Sequence, residues 1–219
     1  MSVIKGVAWV FTATILTQLI NLITLPYISR QYDESAISSL GIITSVLTLF
    51  LIFSSFRLEF FIVKKDEALV TRFTQSLFLL TAFAAIIYSF FLLGYLVYKG
   101  IELSWYSYFL LLPYLIGAFW QNIVTFSVTK TGRFHQLALL KVARASVLLV
   151  MMYLLNKLQV FGIIWSLVIS VLLPLFFYFY IYSQEIRGVF TDVKGKLKLL
   201  RDELFKNYHA AIQAMFNVV

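Results

Sequence analysis

The 219-residue chain is 61% hydrophobic and only 13% charged, with a mean hydropathy of +0.90. Soluble domains average about 45–50% apolar and about 25% charged residues, so this composition excludes a water-soluble globular fold. With no cysteine and only two distant histidines, His135 and His209, it also excludes disulfides, thiolate metal sites and cysteine nucleophiles, and it indicates no metal centre. A net charge of +8 would suit a nucleic-acid binder, but most basic residues stand between apolar runs, where cytoplasmic loops collect Lys and Arg. The charge is therefore mainly topological, and no nucleic-acid partner is expected.

A membrane-crossing helix needs about 20 mostly apolar residues. Runs of that length free of Asp, Glu, Lys and Arg cover residues 6–29, 35–56, 73–98, 103–129 and 158–184. A sixth run, 137–156, carries Lys141 and Arg144 but has the length and flanks of a span. The first run is too long for a signal-peptide core and lacks a small-residue cleavage site, so it reads as a helix that stays. If the N-terminus is cytoplasmic, twelve basic residues fall on that side: Lys5, Lys64, Lys65, Arg72, Lys130, Arg133, Arg187, Lys194, Lys196, Lys198, Arg201 and Lys206. Only Arg30, Lys99 and Lys157 fall on the other, which predicts that both ends of the six-helix unit are cytoplasmic. Trp105, Tyr106 and Tyr108 at one span entrance and Tyr178, Tyr180 and Tyr182 at a span exit suit the headgroup region.

Polar positions within the spans follow helical spacing. Thr14, Thr17, Gln18, Asn21 and Thr24 share one face of the first helix, and Thr44, Ser45, Thr48, Ser55 and Glu59 share one face of the second at about 100° per residue. Two neighbouring helices with polar stripes either line a hydrophilic cavity or are held together by those side chains. Arg57 lies half a turn from the Glu59 stripe, so both charges cannot enter one narrow cavity; it snorkels, pairs with an acid, or meets cargo. Arg144 is deeper, with no acid within four positions, and an unpaired intramembrane guanidinium calls for an anionic partner. Lys141, a turn nearer the cytoplasm, reads as a snorkelling side chain. Gln121 and Asn122 add hydrogen-bonding capacity in mid-span, for interhelical packing or for a ligand. Pro26, Pro113 and Pro174 fall inside spans and permit bends.

After the sixth span, Val193, Leu197, Leu200 and Leu204 recur at helical spacing while Lys194, Lys196, Lys198 and Arg201 point elsewhere. This reads as an amphipathic helix on the cytoplasmic membrane surface, or as a basic linker that fixes topology. Residues 210–219 turn apolar again for about half of a span's length, like the start of a seventh helix. The expected organisation is a six-helix lobe at 1–185, an amphipathic linker at 186–206 and a cut-short seventh span at 207–219.

Several stretches resemble one transporter family. Gly6-Val7-Ala8-Trp9 with Gln18 and a Pro26-to-Arg30 exit is one of them. Gly41 then leads to Phe56-Arg57-Leu58-Glu59-Phe60-Phe61-Ile62-Val63 and an acidic Asp66-Glu67-Ala68. Later come the turn Thr131-Gly132-Arg133-Phe134 and the opening Phe161-Gly162-Ile163-Ile164. Together they resemble, in order along the chain, the Wzx-type polysaccharide repeat-unit flippases of the multidrug/oligosaccharidyl-lipid/polysaccharide exporter superfamily. The resemblance implies an all-α fold of two six-helix lobes around a cationic cavity, in the bacterial inner membrane. Its implied cargo is an undecaprenyl-diphosphate-linked oligosaccharide, moved to the outer leaflet for O-antigen, capsule or exopolysaccharide synthesis. This chain carries one such lobe, so a second lobe or a second chain is expected as partner, besides the surrounding lipid. Arg144, then Arg57, are the expected diphosphate ligands; Gln18, Asn21, Thr48, Ser55 and Glu59 are expected to face sugar or shape the cavity, with Glu59 an alternative ion-coupling group.

Rival classes are weaker. An enzyme of glycan assembly needs a large catalytic loop or clustered acids, whereas the pairs Asp33-Glu34, Asp66-Glu67 and Asp202-Glu203 lie in loops or a surface helix without a base. No catalytic residue and no cofactor is expected. A cation-coupled multidrug antiporter lobe should carry acidic rather than basic charges inside its spans. A nontransporting membrane subunit is the remaining alternative.

Overall fold

A computed structural model describes residues 3–55, 57–100, 105–181 and 187–207, which are helical and contain no strand. In chain order the helices are α1 Val3–Gln31, α2 Glu34–Ser54, α3 Glu67–Tyr98, α4 Trp105–Lys130, α5 Phe134–Leu154, α6 Gln159–Ile181 and α7 Val193–Lys206. Two 3-10 segments, Leu58–Lys64 and Asn156–Leu158, connect α2 to α3 and α5 to α6. Among the described residues, six helices, α1 to α6, are long and apolar enough to cross a membrane. The chain is an all-α polytopic membrane protein.

The helix ends follow local chemistry. Gly132 adopts φ 68°, and Gly132 N–H bonds to Thr129 O at 3.2 Å while Arg133 N–H bonds to Val128 O at 3.0 Å. That pair of bonds is a Schellman motif, which a left-handed glycine permits, and it turns the chain from α4 directly into α5. The prolines Pro26, Pro113 and Pro174 lie within continuous helices. The expected second span stops two residues early, at Ser54, and α3 begins at Glu67 rather than at residue 73. The proposed anchor Tyr182 and the apolar stretch 210–219, read as the start of a seventh span, lie outside the described residues, as do the side chains of Trp105, Tyr106 and Tyr108.

The core sits between α3, α4 and α6, where Phe78, Tyr114, Leu115, Phe119, Ile163 and Val171 are buried. Trp120 ties the three helices: its indole N–H donates to Phe78 O at 3.1 Å, and its ring packs against Phe78 and Phe179. Here the expected neighbour relation fails. α1 packs along α5 and barely touches α2, which lies against α6 and α3. Gly6 sits under the Phe134 ring, Thr14 meets Lys141, and Tyr27 packs on Tyr153 with ring centroids 5.7 Å apart. This nearly constant sequence offset makes α1 and α5 a parallel pair along most of their length. Their far ends are latched by Tyr32 OH donating to Met152 O at 2.7 Å and Asn156 Nδ2 to Tyr27 OH at 3.1 Å.

The helix after α6 also differs in setting. α7 packs against the first turns of α3. Arg72 Nη2 lies 2.6 Å from Asp192 Oδ2, Lys65 pairs with Glu203, and Gln75 Nε2 donates to Arg187 O at 2.6 Å. Leu200 is buried at that contact, with Val193 and Leu204 against the same core.

Candidate functional site

Between α1 and α5 lies a cleft of about 390 Å³. Thr14, Thr17, Gln18 and Asn21 form one wall, Lys141 and Arg144 the other, with Ala145 and Leu148 beside them. The α1 stripe faces this space because its residues recur at three- and four-residue intervals and the parallel α5 runs beside them. Arg144 lies ten residues from each end of the 21-residue α5, about 15 Å along the axis from either terminus, which puts it at mid-span. Its Nη1 donates to Gln121 Oε1 of α4 at 2.9 Å. This amide fixes the guanidinium without cancelling its charge, and among the described residues Arg144 forms no ion pair.

Lys141 departs from the snorkelling expectation. Its Nζ lies 3.4 Å from Thr14 Oγ1 and lines the cleft a turn away from Arg144. No carboxylate lines the cleft among the described residues. Two cations and a ladder of hydroxyl and amide groups can therefore receive a phosphate or another anion, with hydroxyl-rich groups alongside.

Glu59 occupies a different place from the one expected. Because α2 ends at Ser54 and Arg57 turns left-handed at φ 57°, Ser55 and Glu59 leave the α2 stripe, and the chain enters the Leu58–Lys64 segment. Glu59 is fully buried, its carboxylate accepting from Ser55 Oγ and from Asn122 Nδ2 of α4, the latter at 3.2 Å. Arg57 Nη1 is 3.8 Å from Glu59 Oε1, and its guanidinium lies over Phe60, 5.4 Å from the ring centroid. Lys130 Nζ closes the far end of the segment, donating to Val63 O at 2.9 Å. Non-helical backbone packed this way against α4 is tolerated beside a bilayer only when protein covers it.

The expected site residues thus separate into groups. Arg144, Gln18 and Asn21 share the cleft. Arg57, Ser55 and Glu59 form an internal polar cluster and do not line it. Thr48 is exposed on α2, its hydroxyl donating to Thr44 O at 2.9 Å, also away from the cleft. The α1 stripe, open to a cavity shared with α2 or to packing between the two helices, lines a cleft between α1 and α5 instead, because α5 takes the place beside α1. Lys141 is the cleft residue that sequence reasoning assigned elsewhere. Gln121 and Asn122, adjacent on α4, turn toward Arg144 and Glu59 respectively, and so join the two groups; their mid-span position was the available signal.

Among the described residues, no group of three His, Cys, Asp or Glu side chains comes together as a metal centre. No family model, curated protein or solved structure matches this chain.

Proposed function

We propose that the chain is one lobe of a transporter for lipid-linked oligosaccharide diphosphates in a bacterial inner membrane, with both ends of the lobe cytoplasmic. The observation that carries this reading is Arg144: a mid-span guanidinium, positioned by a neutral amide and facing a polar cleft without a carboxylate. A charge in that position is unfavourable in hydrocarbon unless an anion or water meets it. A diphosphate supplies the anion, and Thr17, Gln18 and Asn21 supply hydrogen bonds for sugar. The resemblance of the Arg57-Leu58-Glu59 region to Wzx-type flippases adds support.

The exposed polar residues Thr14, Gln18 and Asn21 of α1 and Ser45 and Thr48 of α2 favour a second wall, from another lobe or another chain, that covers them against lipid. The carboxylate that would favour a multidrug cation antiporter, Glu59, is already met by Arg57, Ser55 and Asn122, so the anionic cargo is the better fit.

The test is binding of a short polyprenyl-diphosphate disaccharide to the purified chain in nanodiscs. A charge-assisted hydrogen bond contributes about 1.5–3 kcal/mol, so Arg144→Gln should weaken binding by about 10-fold or more. Lys141→Gln should weaken it less, and the corresponding neutral prenyl glycoside should bind poorly to both forms. Equal affinity of native protein and Arg144→Gln for the diphosphate would remove Arg144 from the site and with it the main support for this function.

A further inference from the structure

The sequence pattern of α7 suggests that its leucine stripe lies on lipid, yet the fold uses that stripe elsewhere. Leu200 is buried against the α3 end of the lobe, and Val193 and Leu204 pack on the same core. Lys196 is buried as well, donating to the carbonyls of Gly188, Val189 and Thr191 and closing the turn that precedes the helix. Asp192 and Glu203 are engaged by Arg72 and Lys65. The docked face thus takes up most of the apolar stripe and two of the segment's acids.

What remains outward is chemically distinct. At about 100° per residue, positions 194, 198, 201 and 205 fall within about a 60° arc. They are Lys194, Lys198, Arg201 and Phe205, all exposed. Phe205 is 73% exposed and Phe190, in the turn before α7, is 72% exposed. Arg201 shares its charge with Asp202, whose Oδ1 is 3.1 Å away, whereas Lys194 and Lys198 form no ion pair among the described residues. The helix is held at the end of α3 where its apolar span begins. Exposed phenylalanine next to lysine matches the headgroup region, where rings enter the interface and ammonium groups meet lipid phosphate.

We infer that the outward face of α7 binds anionic phospholipid headgroups of the adjoining leaflet, through Lys194 and Lys198 with Phe190 and Phe205 as interfacial anchors. The inference is independent of what the cleft carries. It reverses the orientation that the leucine pattern suggests: the lobe holds Val193, Leu200 and Leu204, and the basic face, with the exposed Leu197 at its edge, meets the membrane.

The chain contains no native cysteine, so one can be introduced for labelling. Full-length protein carrying Phe205→Cys, coupled to an apolar, environment-sensitive fluorophore, is placed in nanodiscs of phosphatidylcholine alone or mixed with phosphatidylglycerol. The expected result is a blue-shifted, quencher-protected probe with phosphatidylglycerol. The lipid preference should fall by about fivefold for each of Lys194→Gln and Lys198→Gln, and should fade in high salt. Hydrogen exchange over residues 187–207 reports whether α7 stays docked in the variants, and it should be unchanged. A probe indifferent to phosphatidylglycerol, or a preference that survives both lysine substitutions, would overturn the inference. So would protection that appears only when two copies share a disc, which would assign the face to a second chain.

Discussion

Replacing Arg57 tests how the connector between α2 and α3 is held. Glu59 has no exposed surface, and its carboxylate relies on Ser55, Asn122 and the guanidinium 3.8 Å away. Removing one partner of a buried pair costs about 3–5 kcal/mol, and the separation, long for a hydrogen bond, puts this case near about 3 kcal/mol. Arg57→Met keeps much of the stem that packs toward Phe60 and removes only the charge. At about 2–4 °C per kcal/mol for a chain of this size, melting in detergent followed by tryptophan fluorescence should fall by about 6–12 °C. The double variant Arg57→Met/Glu59→Leu removes both charges and should recover most of that loss, because apolar replacements of buried pairs are commonly neutral or stabilising. A backbone control separates strain from charge: at φ 57°, Arg57→Gly should melt higher than Arg57→Ala by about 1–2 kcal/mol equivalent. A single variant within about 2 °C of the native protein, or a double variant no better than the single, would refute the paired-charge account.

Other expectations follow from the same geometry. A Cβ at Gly162 would run into the Leu155 carbonyl of the turn before α6, which cannot yield as a side chain can; Gly162→Ala should therefore lower the melting temperature. Gly94→Ala, where nothing lies within 4 Å, should raise it by up to about 1 kcal/mol equivalent. Impermeant thiol reagents on intact cells should label Lys99→Cys and Lys157→Cys but not Arg187→Cys or Lys206→Cys; the opposite pattern would invert the proposed orientation. Burial lowers the Lys196 pKa from its ordinary 10.5, with Asp192 acting in the other direction. The undocked helix then holds the proton more tightly, so raising pH toward 10.5 should favour the docked state, read as slower proteolysis of residues 187–207 against an unfolded standard at each pH.

The spans were readable because hydrocarbon imposes a length and an apolar composition that few other structures share. The α1 stripe was readable for the same reason: Thr14, Gln18 and Asn21 repeat at the period of a helix that never breaks. The stripe on α2 misled at its end, because Ser55 and Glu59 fit a helical period that the chain abandons after Ser54. Nothing in the residue types of Arg57-Leu58-Glu59 announces a left-handed arginine. Nor does a stripe say what it faces: the partner of α1 is set by how α3, α4 and α6 fill the core, a property of six helices together. The same holds for Lys141, whose choice between headgroups and cleft depends on Thr14 standing opposite.

The two polar groups that the fold separates are joined by adjacent residues of one central helix. Gln121 holds Arg144 on the cleft side of α4, and Asn122 holds Glu59 on the connector side. A rotation of α4 that re-aimed one amide would re-aim the other, since both ride on the same turn of a rigid helix. The connector in turn ends at Lys65, whose ammonium meets Glu203 of α7. Occupancy of the cleft and the setting of α7 can thus influence each other through α4 and the connector. Such coupling requires two discrete arrangements of α4, with a ligand that prefers one of them. Asn122→Leu leaves the cleft lining untouched and cuts this chain in the middle. If the coupling operates, that substitution should abolish any change in hydrogen exchange over residues 187–207 when a polyprenyl diphosphate binds, while leaving binding itself nearly unchanged. A ligand response of α7 that persists in Asn122→Leu would show that the cleft reaches α7 by another route.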